Sequence, residues 1–171
     1  PAANVVGEVN RGWEVAITTL AYERDVLTFM RNISLRMAVD RLVELARNTK
    51  RNGGRAADDP LVRQRLVSVL IGEKCLQLGG YRSLNRLIQE KAPGPEGSTS
   101  KLAWSLLDQE LAELATEILG PASQIMDGPW ATDEGQWAYN CLLARASTIR
   151  AGTSEILKNI LGERVLGLPK D

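Results

Sequence analysis

Apolar positions recur with a helical period along almost the whole chain. The first such segment runs from about Trp13 to Thr49, where Val26, Met30, Ile33 and Met37 stand at i, i+4, i+7 and i+11 and predict one apolar helical face. Before it, PAANVVGE reads as an extended tail and Gly7 to Gly12 as a turn. A polar loop, RNTKRNGGRAADDP, follows the first helix and ends in Asp59 as N-cap and Pro60 at the first helical position, where its missing N–H costs nothing. The second helix is expected to continue to about Lys91, with Val62, Leu66, Val69 and Leu70 as its first stripe. Gly72, Gly79 and Gly80 mark either close packing or a break.

APGPEGSTS reads as a linker, and Lys101 to Leu119 as a third helix with Leu107, Leu111, Leu114 and Ile118 on one face, stopped by Gly120 and Pro121. Asp133 followed by Gln136 suggests a capping box for a shorter helix to about Ala146, and Thr153 caps a last helix to about Leu166. No strand alternation of useful length appears after Val9. Long helices with short connections predict an all-α, antiparallel up-and-down helical bundle spanning residues 10–171, with residues 1–9 as a short extended N-terminal tail. No repeat of solenoid length is visible.

Composition narrows the partners. Lys plus Arg and Asp plus Glu both number 21, so no net field gathers nucleic acid or an anionic membrane. No apolar run approaches the roughly 20 residues of a membrane span, and no charged start with an apolar core suggests a signal peptide. A soluble, cytoplasmic protein is expected. Cys75 and Cys141 suit reduced, buried thiols rather than a disulfide framework. Histidine is absent, which removes His-dependent triads, histidine metal ligands and imidazole bases; no metal site is expected. The start at Pro1, without Met, gives the expectation that the chain continues upstream.

The residues themselves leave each polar feature open. Adjacent Glu23 and Arg24 point to different sectors of the first helix and read as solvated charges. Gly152-Thr153-Ser154-Glu155 is a good helix start, sufficient as ordinary capping, whose free N–H groups are also suited to an anion or a polarised carbonyl oxygen. The basic loop with Arg47, Lys50, Arg51 and Arg55 is either a solvated turn or a phosphate contact. Trp130 and Trp137, seven apart, read as packing residues rather than a platform for stacked bases.

The order of motifs adds more than any one of them. PAANVVGEVNRGWEVAITTLAYER resembles the acyl-CoA dehydrogenase passage from the middle β-domain into the first C-terminal helix, GPEGSTSKLAWS resembles the start of that family's third long helix, and TIRAGTSEILKNILGERVLGLP resembles its C-terminal signature. The resemblance implies residues 1–9 as the end of a β-domain or a linker, a helical bundle, FAD as cofactor and an acyl-CoA substrate. It also implies an electron-transferring flavoprotein as acceptor and a homo- or hetero-tetramer. In that family a glutamate takes the proton alpha to the thioester carbonyl while a hydride leaves the beta carbon for the flavin, giving a 2,3-enoyl-CoA.

Many members carry this glutamate directly before Gly-Thr-Ser, where this chain has Ala151. The isovaleryl-CoA and long-chain branches place it on the first helix of this domain before an arginine, which Glu23 and Arg24 match. The resemblance therefore implies Glu23 as general base, the Ala151 backbone N–H as donor to the thioester carbonyl, and Arg24 near the thioester and CoA. Gly152, Thr153 and Glu155 would lie beside the flavin. The family's Arg-x-x-Phe-Gly segment is missing from the basic loop, and ILGPASQIMDGPW replaces its Gly-Gly-x-Gly turn. These departures resemble a divergent actinobacterial branch, similar to steroid side-chain dehydrogenases built from two unlike subunits. A non-catalytic oligomerisation subunit and an acyl-CoA oxidase on the same scaffold are the alternative readings.

Overall fold

The computed structural model describes residues 1–89, 94 and 96–170, with the side chains of 21–29 and 96 left out of the description. Three long helices form the body: α1 (Gly12–Asn48), α2 (Pro60–Ile88) and α3 (Glu96–Leu119). Two shorter ones, α4 (Gln136–Ala144) and α5 (Ser154–Arg164), close it. Cross-contacts fix the directions. Asn32 bonds the Leu76 carbonyl and Arg36 pairs with Glu73, so α1 and α2 run antiparallel. Gly72 meets Leu107 and Gly79 meets Ser100, so α3 runs back along α2. The all-α up-and-down bundle expected from the sequence is the fold.

The core is made by Leu35, Val39, Leu42 and Ala46 of α1, Val62, Leu66, Val69 and Leu76 of α2, and Leu107, Leu111, Leu114 and Ile118 of α3, sealed by Trp137 of α4. On α1 the predicted stripe is corrected. Met30 and Met37 are 64% and 62% exposed and Ile33 is exposed as well, while the side chain of Val26 lies outside the described residues. The same i, i+4, i+7, i+11 spacing recurs from Leu35, and that second face is the one the bundle buries. Helix α1 is thus apolar on two sides, one of which α2 and α3 leave open.

Glycine 72 resolves the question over α2. The helix passes through Gly72, Gly79 and Gly80 unbroken, and a Cβ at Gly72 would lie 3.0 Å from both methyl carbons of Leu107. Gly72→Val should therefore destabilise the bundle by roughly 1–3 kcal/mol through overpacking of the α2–α3 seam, read as a lower unfolding midpoint. Asp59 caps α2 as expected, its carboxylate accepting from the Leu61 N–H at 2.8 Å, with Pro60 at the first helical position.

Other boundaries moved. The tail is a short 3-10 turn at Ala2–Asn4 rather than extended. The basic loop forms a small antiparallel hairpin, β1 (Lys50–Arg51) with β2 (Gly54–Arg55), turned by Asn52 and Gly53, both at positive φ. Helix α3 begins at Glu96, so the GSTS part of the expected linker is already helical; residues 90–93 and 95 lie outside the described residues. The capping box at Asp133 does not form: Asp133 and Glu134 are left-handed, Gly135 precedes α4 without a side-chain cap, and Asp133 pairs with Arg41 of α1. Trp130 is 80% exposed, unlike Trp137, and Cys75 is exposed and Cys141 half-buried rather than core residues.

Candidate functional site

The open side of α1 forms one wall of a groove of about 890 Å³. Leu20, Met30, Arg31 and Met37 line it from α1, Trp104 and Asp108 from α3, and Arg150 and Ala151 from the segment before α5. The guanidinium of Arg31 lies 4.7 Å from the centre of the Trp104 ring, which holds a cation against the groove wall. Apolar side chains make up much of the lining, with Ser34, Arg41, Asp108, Asn140 and Arg150 as polar groups among them, a mixture suited to a small molecule that is largely apolar.

Ala151 sits in an unusual turn. Its φ is 56° and that of Gly152 is 98°, so two successive residues are left-handed, one of them with a Cβ. The turn joins the 3-10 segment Arg145–Thr148 to α5, and Ile149 and Arg150 both bond back to Ala146. The Ala151 N–H enters none of these main-chain bonds among the described residues. Helix α5 then starts as predicted, with the Thr153 hydroxyl accepting from the Ile156 N–H at 3.3 Å. Thr153→Ala should cost about 1 kcal/mol of stability as a lost cap, measured by denaturant unfolding.

Glu155 is exposed at the positive end of α5, and its carboxyl is held below the usual range by its own backbone N–H first and by the Thr153 hydroxyl second. Ser154 Oγ is buried without a hydrogen-bond partner among the described residues. A donor in need of an acceptor therefore stands beside an ionised acceptor open to solvent.

Beneath the turn, α3 supplies polar contacts that sequence reasoning missed. Lys101, 1% exposed, donates to the Ser147 carbonyl at 3.0 Å and the Gly152 carbonyl at 2.6 Å. Ser147 donates to Asp108 at 2.6 Å, and Gln109 donates to the Ala144 carbonyl and the Thr148 hydroxyl at 3.2 Å each. The available signal was spacing: Lys101, Ser105, Asp108 and Ala112 stand at i, i+4, i+7 and i+11, a stripe of charged and small residues beside the leucine stripe of α3. Desolvation lowers the Lys101 pKa below its usual value, and the nearby cations Arg31 and Arg150 add to this. A lysine whose folded pKa is lowered opposes folding at neutral pH and ceases to do so as pH rises through that value toward 10.5. Its burial is thus a cost, offset by what it holds.

Glu23 and Arg24 lie on α1, with side chains outside the described residues. Position 23 falls three residues after Leu20 and seven before Met30, both of which line the groove. Two cations of the basic loop are paired within the chain, Arg51 with Asp59 and Glu117, and Arg55 with Asp58. The phosphate contact considered for it has no free cation in these two residues. Among the described residues no helix is long and apolar enough to cross a membrane.

Comparison with known proteins agrees with this arrangement. Residues 10–166 match the family "Acyl-CoA dehydrogenase, C-terminal domain". The acyl-CoA dehydrogenases IpdE1 of Mycobacterium tuberculosis and of Mycolicibacterium smegmatis are 40% and 39% identical over 98% and 99% of this chain. The chain spans about two fifths of their length, 41% and 40%. Among solved structures, the ChsE4-ChsE5 complex from Mycobacterium tuberculosis superposes with a TM-score of 0.82 at 29% identity, covering 100% of this chain and 44% of that one. The helical bundle with its groove along α1 and its left-handed turn before α5 belongs to the acyl-CoA dehydrogenase family, as that family's C-terminal domain.

Proposed function

We propose that the protein carrying this chain is an FAD-dependent acyl-CoA dehydrogenase, forming a 2,3-enoyl-CoA from an acyl-CoA thioester, with Glu23 as the base. The observation that carries the reading is the groove itself, which follows α1 past the register of position 23 and reaches a turn whose Ala151 N–H enters no main-chain bond among the described residues. An amide there donates to the thioester oxygen, and this acidifies the α C–H because the charge left by the departing proton spreads onto that oxygen. The Glu23 carboxylate accepts the proton, its basicity raised when the acyl chain fills the groove and expels water. Arg24, adjacent, is assigned to the CoA end.

When bound, FAD supplies the acceptor for the hydride that leaves the beta carbon. The residues at the start of α5 suit its hydroxyl-rich ribityl chain: Glu155 offers an exposed, ionised acceptor, and the glycine backbone at 152 allows close approach. The groove holds the acyl chain against Met30 and Met37, flexible side chains that adapt to bulky or branched shapes. Anaerobic addition of acyl-CoA thioesters to the intact protein is expected to bleach its flavin in proportion to enoyl-CoA formed. Bound flavin that no acyl-CoA reduces would refute the dehydrogenase reading. Reoxidation by an electron-transferring flavoprotein but not by oxygen would separate dehydrogenase from oxidase.

A second observation favours assembly with other subunits. Between α2 and α3 runs another apolar groove of about 880 Å³, bordered by exposed Ile71, Leu78 and Leu106. These exposed apolar side chains on one face suit an oligomer contact. Sedimentation of the intact protein should give a homo- or hetero-tetramer, and a stable monomer would count against that assignment.

A further inference from the structure

We propose that Lys101 is a positioning residue for this site: by binding the carbonyls on both sides of Ala151, it holds the turn in the conformation that presents the Ala151 N–H to the thioester. The inference rests on the dehydrogenase reading for what the turn is aimed at, and on geometry for the holding. Ser147 and Gly152 are five residues apart in sequence, yet their carbonyl oxygens converge on one nitrogen at 3.0 and 2.6 Å. An ammonium carries three donors on a single atom, which suits two converging acceptors better than a planar amide or a hydroxyl.

The other contacts from α3 stop short. Asp108 reaches Ser147, and Gln109 reaches Ala144 and Thr148, all before Ala151. Lys101 alone among these three reaches Gly152 beyond it. Ala151 needs such a tie because a residue with a Cβ at φ 56° lies in a disfavoured region, by roughly 1–2 kcal/mol, and relaxes out of it when released. A turn that relaxes rotates the very peptide N–H the chemistry uses. No ion pair of Lys101 occurs among the described residues, and two arginines stand near it, so a hydrophobic side chain of similar length would be less costly there. The lysine is explained by what it orients.

The test uses the intact, flavin-loaded protein. In Lys101→Met, single-turnover flavin reduction by acyl-CoA should fall on the order of a hundredfold while the Kd for acyl-CoA stays within about threefold. The amides of Ile149 and Arg150, bonded to Ala146 within the 148–152 turn, should exchange with solvent about tenfold faster while α1, α2 and α3 keep their protection. A chromophoric enoyl-CoA, whose absorption moves to longer wavelength as its carbonyl is polarised, should lose that shift. Lys101→Gln, shorter but still a donor, should fall between wild type and Lys101→Met, and replaces it if the methionine variant does not fold. Unchanged exchange at Ile149 and Arg150 overturns the proposal, as does faster exchange with undiminished reduction and spectral shift. Failure of both variants to fold also overturns it, making Lys101 a residue of the core. A wild-type protein whose flavin no acyl-CoA reduces rejects the dehydrogenase reading instead, and the exchange pattern still decides whether Lys101 holds the turn.

Discussion

Glu23→Gln in the intact protein is expected to slow acyl-CoA-dependent flavin reduction by roughly 10²–10⁴-fold while flavin and acyl-CoA stay bound. Glutamine matches glutamate in volume and hydrogen-bonding reach but cannot take a proton, so the substitution removes the base and leaves the groove intact. The loss should appear in the reduction step itself, with the Kd for acyl-CoA little changed, because the carboxylate matters only once the α-proton begins to move. The pH profile discriminates further. In wild type the rate should rise as the base ionises, and in the variant that limb should be absent. Normal bleaching by Glu23→Gln would remove Glu23 from the chemistry and reopen the reading of this chain as an interaction subunit. Ala151 offers no comparable substitution, since it contributes only its backbone and survives side-chain replacement in either case.

The sequence was most informative where one physical rule acted alone. Asp59 and Pro60 start α2 because capping and a missing N–H are local properties, and Thr153 starts α5 for the same reason. The leucine stripe of α3 is buried because that helix is central, packed by α1, α2 and α4, so its strongest stripe has no other place to go. Helix α1 misled because it is apolar on two faces. Periodicity finds an apolar face but does not say what covers it: Met30 and Met37 line the groove, Val39 and Leu42 enter the core, and Leu35 lies at the border of the two. The Asn52-Gly53 pair is a local hairpin signal, but its flanking residues are polar and lack the apolar alternation that marks strands. At Asp133 a local capping pattern competes with a contact 92 residues distant in sequence, to Arg41, and the distant contact prevails. Lys101 was invisible for a related reason: a lysine in a helix usually points to water, and only the convergence of Ser147 and Gly152 shows why this one does not.

Gly135→Ala is expected to destabilise the domain by roughly 2–5 kcal/mol. A Cβ there would lie 1.9 Å from the Met126 carbonyl oxygen, and the residue's φ is +76°, so the substitution meets backbone that cannot rotate away and a conformation that alanine disfavours. Gly128 provides the comparison, because it has a similar φ of +81° and nothing within 4 Å of its would-be Cβ. Gly128→Ala should cost only about 1 kcal/mol, the conformational part. The difference between the two unfolding midpoints thus isolates the steric part, and equal midpoints would show that the 126–135 chain can shift to admit a methyl group. Such a shift would not stay local. Gly135 precedes α4, Asp133 beside it ties the loop to α1 through Arg41, and α4 leads into Ser147 and the Ala151 turn. Gly135→Ala should therefore also raise hydrogen exchange at Ile149 and Arg150, although it touches neither of them.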